Sequence, residues 1–420
     1  MGHTIAEKIM AAHCGREEVH AGEYVNAKVD FIVGNESTSV LAIEGFRRLG
    51  CDRIFDKDRI LILTDHSIPN NNIAAAEYNK TCREFSKEFG LEFYEVGRVG
   101  ICHVMVPDKG YVVPGDIVIG ADSHTCTYGA LGAMSTGMGS TDMLHAMVFG
   151  EIWMQVPETV KVVLKGNVKP GVVGKDLILY VISKIGVEGA NYKAIEFCGE
   201  ALDSVSLSSR FTMANMVIEA GGKCCFFNLN QETLNYLEER ARRPFKVYTA
   251  DEDARYCQVV ELDVSDLEPQ VAVPSLPENA KPISEVEKDQ IRVDQVFFGS
   301  CTNGRTEDMM IAAKILEGKK LADHVRMIVI PGSQEVYMES LKKGYIQAML
   351  EAGCAICTPN CGACGGRHMG VLAAGEVCLS TTARNFTGRM GHKDSLVYLS
   401  GPAVAAASAV AGYICGPESV

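Results

Sequence analysis

Three of the sixteen cysteines in this 420-residue chain sit in surroundings that suit chemistry better than packing. Cys301 lies in Gly299-Ser300-Cys301-Thr302-Asn303-Gly304, directly after the apolar run from Val293 to Phe298. That places it in a turn at the carboxyl end of a buried strand, where open α/β sheets carry their active groups. Cys361 and Cys364 have C-x-x-C spacing inside the glycine-rich loop Pro359-Asn360-Cys361-Gly362-Ala363-Cys364-Gly365-Gly366, where the scarcity of side chains lets backbone amides approach sulfur. Three thiolates with amide donors nearby suit an iron–sulfur cluster. A set of three leaves one iron open to water or substrate, the coordination position a Lewis-acid catalyst needs. Cys354 and Cys357 extend the row to C-x2-C-x3-C-x2-C, which also reads as a zinc site. Ala352 to Thr358 alternates small apolar residues with cysteine, however, and that pattern predicts a buried strand.

Acid and histidine recur together at strand ends. The run Arg59 to Thr64 leads into Asp65-His66-Ser67, and Asp116 to Gly120 leads into Ala121-Asp122-Ser123-His124. A lone histidine is more often structural, but two such pairs in one half-domain point to a site. Asn215 and Glu219 stand four apart on one predicted helical face, with a solvated polar stripe as the alternative. Arg384 and Arg389 occupy a glycine-containing loop with no acidic residue until Asp394, and guanidinium forks suit carboxylates.

Four stretches taken together resemble the aconitase family: the Cys301 turn, the Cys361/Cys364 loop, Ala121-Asp122-Ser123-His124-Thr125, and Arg384-Asn385-Phe386-Thr387-Gly388-Arg389. The resemblance runs from Thr4 to about Gly416. It implies a three-domain α/β architecture with parallel and mixed sheets flanked by helices, without the family's swivelling domain. It further implies one [4Fe-4S] cluster held by Cys301, Cys361 and Cys364 with one open iron, and reversible dehydration of a 2-hydroxy dicarboxylic acid. Residue by residue, it assigns His66 to protonating the departing hydroxyl, with Asp65 as its partner. His103, Asp122, His124 and Glu219 join them as catalytic groups, Asn215 and Asn303 lie near the cluster, and Arg384, Arg389, Ser123 and Asn35 contact substrate. Ala383 departs from the family, which commonly has Asn there.

In the family the base that removes the carbon-bound proton is a serine in the swivelling domain. The resemblance therefore implies a separate small subunit as partner, with 3-isopropylmalate as leading substrate and homocitrate, dimethylmalate or methylmalate as alternatives. Two other classes remain open at this point. One is an RNA-binding iron sensor, and the other is a scaffold stabilised by zinc on Cys354, Cys357, Cys361 and Cys364.

The elements that must position these residues follow from periodicity. Strands alternate with helices through the chain, and the divisions expected are 1–156, 157–264 and 291–420, with the proline-rich stretch 265–290 as a linker. Strands are expected at 29–33, 91–96, 160–164, 193–198, 223–228 and 325–330, and helices at 73–89, 141–154, 175–185, 208–220 and 305–317. At Asn35-Glu36-Ser37-Thr38, capping of the next helix fits the hydroxyls of Ser37 and Thr38 better than Asn35 and Glu36, which are free to reach a ligand.

With 47% hydrophobic and 22% charged residues the chain reads as an ordinary globular protein. It shows no membrane-length apolar run and no signal-peptide build, so the cytoplasm is the expected compartment. A formal charge of −13 argues against nucleic-acid or membrane-surface partners. An anionic substrate then requires local arginines.

Overall fold

The computed structural model describes residues 2–420. Its first third contains β1 (Tyr24–Lys28), β2 (Phe31–Asn35), β3 (Ile60–Leu63), β4 (Glu92–Tyr94), β5 (Ile117–Gly120), β6 (Met134–Gly137) and β7 (Glu151–Gln155). Strands β2 to β6 form a parallel sheet in the order β4-β3-β2-β5-β6. Both its faces are covered. Ile32, Ile60, Ile62, Ile117 and Ile119 enter one core, and Phe31, Val33, Leu61, Leu63 and Val118 enter another. Two-sided burial is why these strands read as unbroken apolar runs.

The middle third adds β8 (Thr159–Lys165), β9 (Ala194–Cys198), β10 (Cys224–Phe227) and β11 (Gln258–Asp263), parallel in the order β10-β9-β8-β11. The last third carries β12 (Gln270–Ala272), β13 (Ala280–Pro282), β14 (Gln295–Gly299), β15 (Arg326–Ile330), β16 (Ala355–Ile356), β17 (Val377–Ser380) and β18 (Leu396–Ser400). They form a mixed sheet in the order β13-β12-β18-β17-β14-β15-β16. One face, with Phe297, Ile330 and Leu399, shares its core with Val162, Leu164 and Phe197 of the middle sheet; Val296, Phe298 and Val329 face a separate core.

Two expectations are corrected. The stretch 265–290 is not a free linker, because β12 pairs with β18 and β13 with β12, extending the third sheet. The helix expected over 141–154 ends at Phe149. Gly150 caps it in the left-handed conformation and β7 follows from Glu151, pairing antiparallel with β1, and the period-two burial of Ile152 and Met154 outweighs the helical spacing.

The topology sets where the site lies. In the first sheet the chain runs outward from β2 through β3 to β4, then returns to the other side of β2 for β5 and β6. In the third it runs from β14 through β15 to β16, then returns to the other side of β14 for β17 and β18. Each sheet thus has a switch point, the crevice where doubly wound sheets bind ligands. Cys361 N–H donates to the Asp65 carbonyl at 2.8 Å, and Arg305 donates to the His103 carbonyl at 3.0 Å, so the two crevices are joined.

Candidate active site

After β3 the chain turns through Asp65-His66-Ser67, and a single carboxylate holds all three backbone N–H groups. Asp65 donates to Glu36 Oε2 at 2.9 Å, and His66 and Ser67 donate to Oε1 at 2.9 and 2.6 Å. Glu36 is fully buried in the first turn of the helix Glu36–Arg48. Burial pushes its carboxyl up, and the neighbouring His66 charge is the strongest influence opposing that.

Asp65 carries the fixed geometry outward. Its Oδ1 lies 2.6 Å from His66 Nδ1, and its Oδ2 accepts from Cys102 N–H at 2.8 Å. On the other side, His66 Nε2 is 3.3 Å from Asp122 Oδ2. Asp122 Oδ1 lies 2.9 Å from His103 Nε2 and accepts from the backbone N–H of His124 at 2.8 Å. One carboxylate therefore organises three histidines. Burial alone would raise the Asp122 carboxyl, but the charge on His103 and the hydrogen bonds from His103, His124 and His66 hold it well below the usual range. His66 moves the opposite way: burial disfavours its charge, yet Cys361, Asp65 and Asp122 hold its imidazole well above the ordinary value. It is poised to carry a proton.

The middle and third sheets complete the polar wall. His124 Nε2 lies 3.2 Å from Glu219 Oε1; Arg384 Nε donates to the same oxygen at 2.7 Å, and Arg384 Nη2 donates to Ser123 Oγ at 3.1 Å. The stretch around Asn215 and Glu219 is no solvated stripe, since both are buried. The helix Leu207–Met216 tightens to 3₁₀ geometry over Val217–Ala220. Asn215 faces sulfur instead: it donates to Thr127 Oγ1 at 2.9 Å, accepts from Thr302 Oγ1 at 3.1 Å, and its Oδ1 is 3.8 Å from Cys301 Sγ.

Cys301 follows a constrained turn. Gly299 has φ 109° and a Cβ there would lie 1.9 Å from the Ile330 carbonyl oxygen, so only glycine fits. Ser300 also adopts a positive φ, 68°. Burial pushes the Cys301 thiol up to about 12 and the Cys361 thiol up as well. Charge on Cys364 bears on the Cys301 thiol, and charge on Cys301 bears on the Cys361 thiol.

This donor set fits a polynuclear iron–sulfur group better than one metal ion. Tetrahedral zinc with Zn–S of about 2.3 Å needs its sulfurs about 3.8 Å apart. Among the described residues no three cysteine sulfurs lie within 4.8 Å of one another, whereas Asp65, His66 and Cys361 do. The Arg389 guanidinium adds to the fit: its Nη2 is 3.9 Å from Cys364 Sγ, and its Nε is buried without a partner. Cys354 packs into the core on one side of the third sheet and Cys357 against the core on the other, so the four-cysteine zinc arrangement is absent.

The structure therefore brings together Asp65, His66, His103, Asp122, Ser123, His124, Asn215, Glu219, Cys301, Cys361, Cys364, Arg384 and Arg389. Asn303 lies behind the Cys301 turn, donating to Asp308 at 2.9 Å. Asn35 is corrected: its side-chain oxygen accepts from Ser37 N–H, Thr38 N–H and the Thr38 hydroxyl, so Asn35 is the helix cap. Sequence reasoning missed the positioning roles of Glu36 and Arg305. The signal for Glu36 was an acid directly after a strand-end cap; for Arg305 there was none.

Comparison with known proteins places these observations. Residues 7–412 match the model of the aconitase family, described as aconitate hydratase. The large subunit 1 of 3-isopropylmalate dehydratase from Pyrococcus abyssi is 57% identical over 100% of both chains. The 3-isopropylmalate dehydratase large subunit from Moorella thermoacetica is 54% identical, again over 100% of both. Among solved structures, Thermococcus kodakaraensis aconitase X in its holo-form aligns with TM-score 0.50 at 14% identity, covering 91% of this chain and 89% of that one. That likeness concerns the fold.

Proposed function

The chain belongs to the aconitase family, and from that premise we propose that it is the large, catalytic subunit of a hydro-lyase that interconverts 2-isopropylmalate and 3-isopropylmalate. Full-length identity above 50% to relatives named for that reaction supports the substrate, and the words "large subunit" in those names support a separate small subunit as partner. The observation that carries the reading is His66, clamped between Asp65 and Asp122 and grouped with the Cys361 sulfur.

Cys301, Cys361 and Cys364 are assigned as the ligands of one [4Fe-4S] cluster, which when bound supplies a Lewis-acidic iron for the substrate hydroxyl. The remaining work belongs to the chain. His66 holds a proton on Nε2 and delivers it to the departing hydroxyl, because Asp65 on Nδ1 fixes the ring and supports its charge. Asp122 ties His66 to His103, so the two rings keep one orientation. Arg384, steered by Glu219 and Ser123, and Arg389 beside Cys364 supply the guanidinium groups for two substrate carboxylates. The base for the carbon-bound proton, and the pocket for the isopropyl group, are assigned to the small subunit.

The test is anaerobic co-expression with the small subunit, reconstitution with iron and sulfide, and a substrate panel of 2-isopropylmalate, homocitrate, dimethylmalate and methylmalate. We expect four irons and four sulfides per chain, and kcat/KM for 2-isopropylmalate at least about tenfold above the others. Zinc in place of iron would overturn the cluster, and an inert 2-isopropylmalate with a loaded complex would overturn the substrate.

A further inference from the structure

Lys175 is the only fully buried lysine among the described residues, and it forms no ion pair within them. Its position is unfavourable twice over. Burying an ammonium without a contacting carboxylate is costly. The residue also occupies the first turn of the helix Gly174–Ile185, where the helix dipole repels a cation. Asp176 beside it does not neutralise it by contact, because its carboxylate accepts from the N–H groups of Val173 at 2.9 Å and Gln270 at 2.7 Å. The helix start is pressed hard against its neighbour: Gly174 N–H donates to Ser209 Oγ at 3.0 Å, and a Cβ on Gly174 would lie 2.2 Å from the Ser209 carbonyl oxygen. The backbone that carries Lys175 therefore has no room to shift toward Ser209.

What Nζ touches gives it a role. It donates to the carbonyl of Thr381 at 3.0 Å and to that of Thr382 at 2.5 Å. Thr381 Oγ1 in turn accepts from Gly299 N–H at 2.9 Å, two residues before Cys301. Thr382 stands two residues before Arg384. The ammonium thus sits where the Cys301 turn after β14 meets the Arg384 loop after β17, on the two sides of the third sheet's switch point. Burial pulls the group down to about 7, and the sulfur of Cys301 is the strongest influence holding it up, followed by Asp176, Asp308 and Cys364.

We propose that Lys175 is a positioning residue with an electrostatic duty: its ammonium clamps the Thr381–Thr382 backbone so that Arg384 meets Ser123 and Glu219, and its charge lies behind the Cys301 turn as counter-charge to the cluster assigned above. The inference rests on that assignment for its second half only. Three variants separate the duties. Lys175→Arg keeps charge and donors, Lys175→Gln keeps donors without charge, and Lys175→Met keeps neither.

Each variant is co-expressed with the small subunit and reconstituted anaerobically. Iron and sulfide are counted, the cluster's midpoint potential is followed by electron paramagnetic resonance, and kcat and KM are measured separately. Removing a positive charge disfavours the reduced, more negative cluster, so Gln and Met shift the midpoint to more negative values and Arg leaves it near wild type. Met also raises KM several-fold through the loosened Arg384 loop. If Met does not fold, the Arg–Gln pair still decides the charge, and the KM of Lys175→Ala, which also lacks donors, decides the clamp. A wild-type protein that loads a cluster while Gln keeps its potential overturns the counter-charge; an unchanged KM in both Gln and Met overturns the clamp. A wild-type protein that takes up no iron and sulfide overturns the cluster assignment and the counter-charge together.

Discussion

The acid–histidine half of the site and the sulfur half are held in different ways. In the first, each carboxylate is already engaged by groups of the chain itself: Glu36 by three backbone N–H groups, Asp65 by Cys102 and His66, Asp122 by His103, His124 and His66. In the second, the polar contacts to sulfur are long, 3.8 Å from Asn215 to Cys301 and 3.9 Å from Arg389 to Cys364, and Arg389 Nε is buried without a partner. The carboxylates of the histidine wall are held before anything binds, and His103 Nδ1 is its one buried ring nitrogen without a partner among the described residues. The sulfur half has its backbone fixed by Gly299 but keeps unused bonding capacity at the side chains. Chemistry that needs an oriented proton is thus separated from chemistry that needs a ligand set, and substitutions should reveal the seam.

The largest effect belongs to the sulfur half. Cys301→Ser or Cys361→Ser removes one of the three soft ligands proposed above, and we expect loss of bound iron and sulfide together with loss of measurable turnover, read by metal analysis and assay. His66→Asn strikes the other half. Its turnover should fall by roughly 10²–10⁴-fold, the usual worth of a positioned proton donor, while iron and sulfide stay at the wild-type ratio. If His66→Asn also empties the site of iron, the two halves are not separable and the comparison fails.

The same seam explains what is legible in the sequence. The acid–histidine pairs and Cys301 stand out because β2, β3, β5 and β14 are buried on both faces, so each apolar run announces where its strand stops and its polar turn begins. The resemblance then links turns that lie far apart in the chain. The ribbon of β1 and β7 is hidden because its alternating burial is diluted by residues that also suit a helix, and β12 and β13 because three residues are too few to show a period: β12 acquires its identity only from β18, more than a hundred residues away, and β13 only from β12. Asn35 takes the capping role expected of Ser37 and Thr38: either side-chain type caps a helix, and the sequence alone does not mark which of them holds the cap position. Lys175 has no local signal, since its burial is created by the chain around Thr381.

Glu36→Gln probes the acid–histidine half more gently than His66→Asn. The amide keeps the shape but turns one accepting oxygen into a donor facing a backbone N–H. We expect about 1–3 kcal/mol of lost stability in anaerobic denaturant unfolding, and turnover slowed about tenfold as His66 loosens, a loss of about 1.4 kcal/mol in barrier. Turnover at the wild-type rate would show that Asp65 and Asp122 orient His66 without help from the turn.

The smallest effect is expected at the boundary between the halves. Ser123 Oγ accepts one hydrogen bond from Arg384 at 3.1 Å and lies 3.4 Å from His124 Nδ1, while Glu219 holds the same guanidinium at 2.7 Å through Nε. Ser123→Ala removes one hydrogen bond and leaves the ion pair, so the guanidinium stays in place with a looser tilt. The cost should be about 0.5–1.5 kcal/mol, seen as weaker apparent binding of 2-isopropylmalate, with KM raised roughly two- to tenfold and both turnover and iron content near wild type. Turnover slowed by about two orders of magnitude at unchanged KM would place the hydroxyl on the path of a proton through His124. The acid–histidine half would then extend across the boundary to Arg384, and the division would have to be redrawn between Arg384 and the sulfurs.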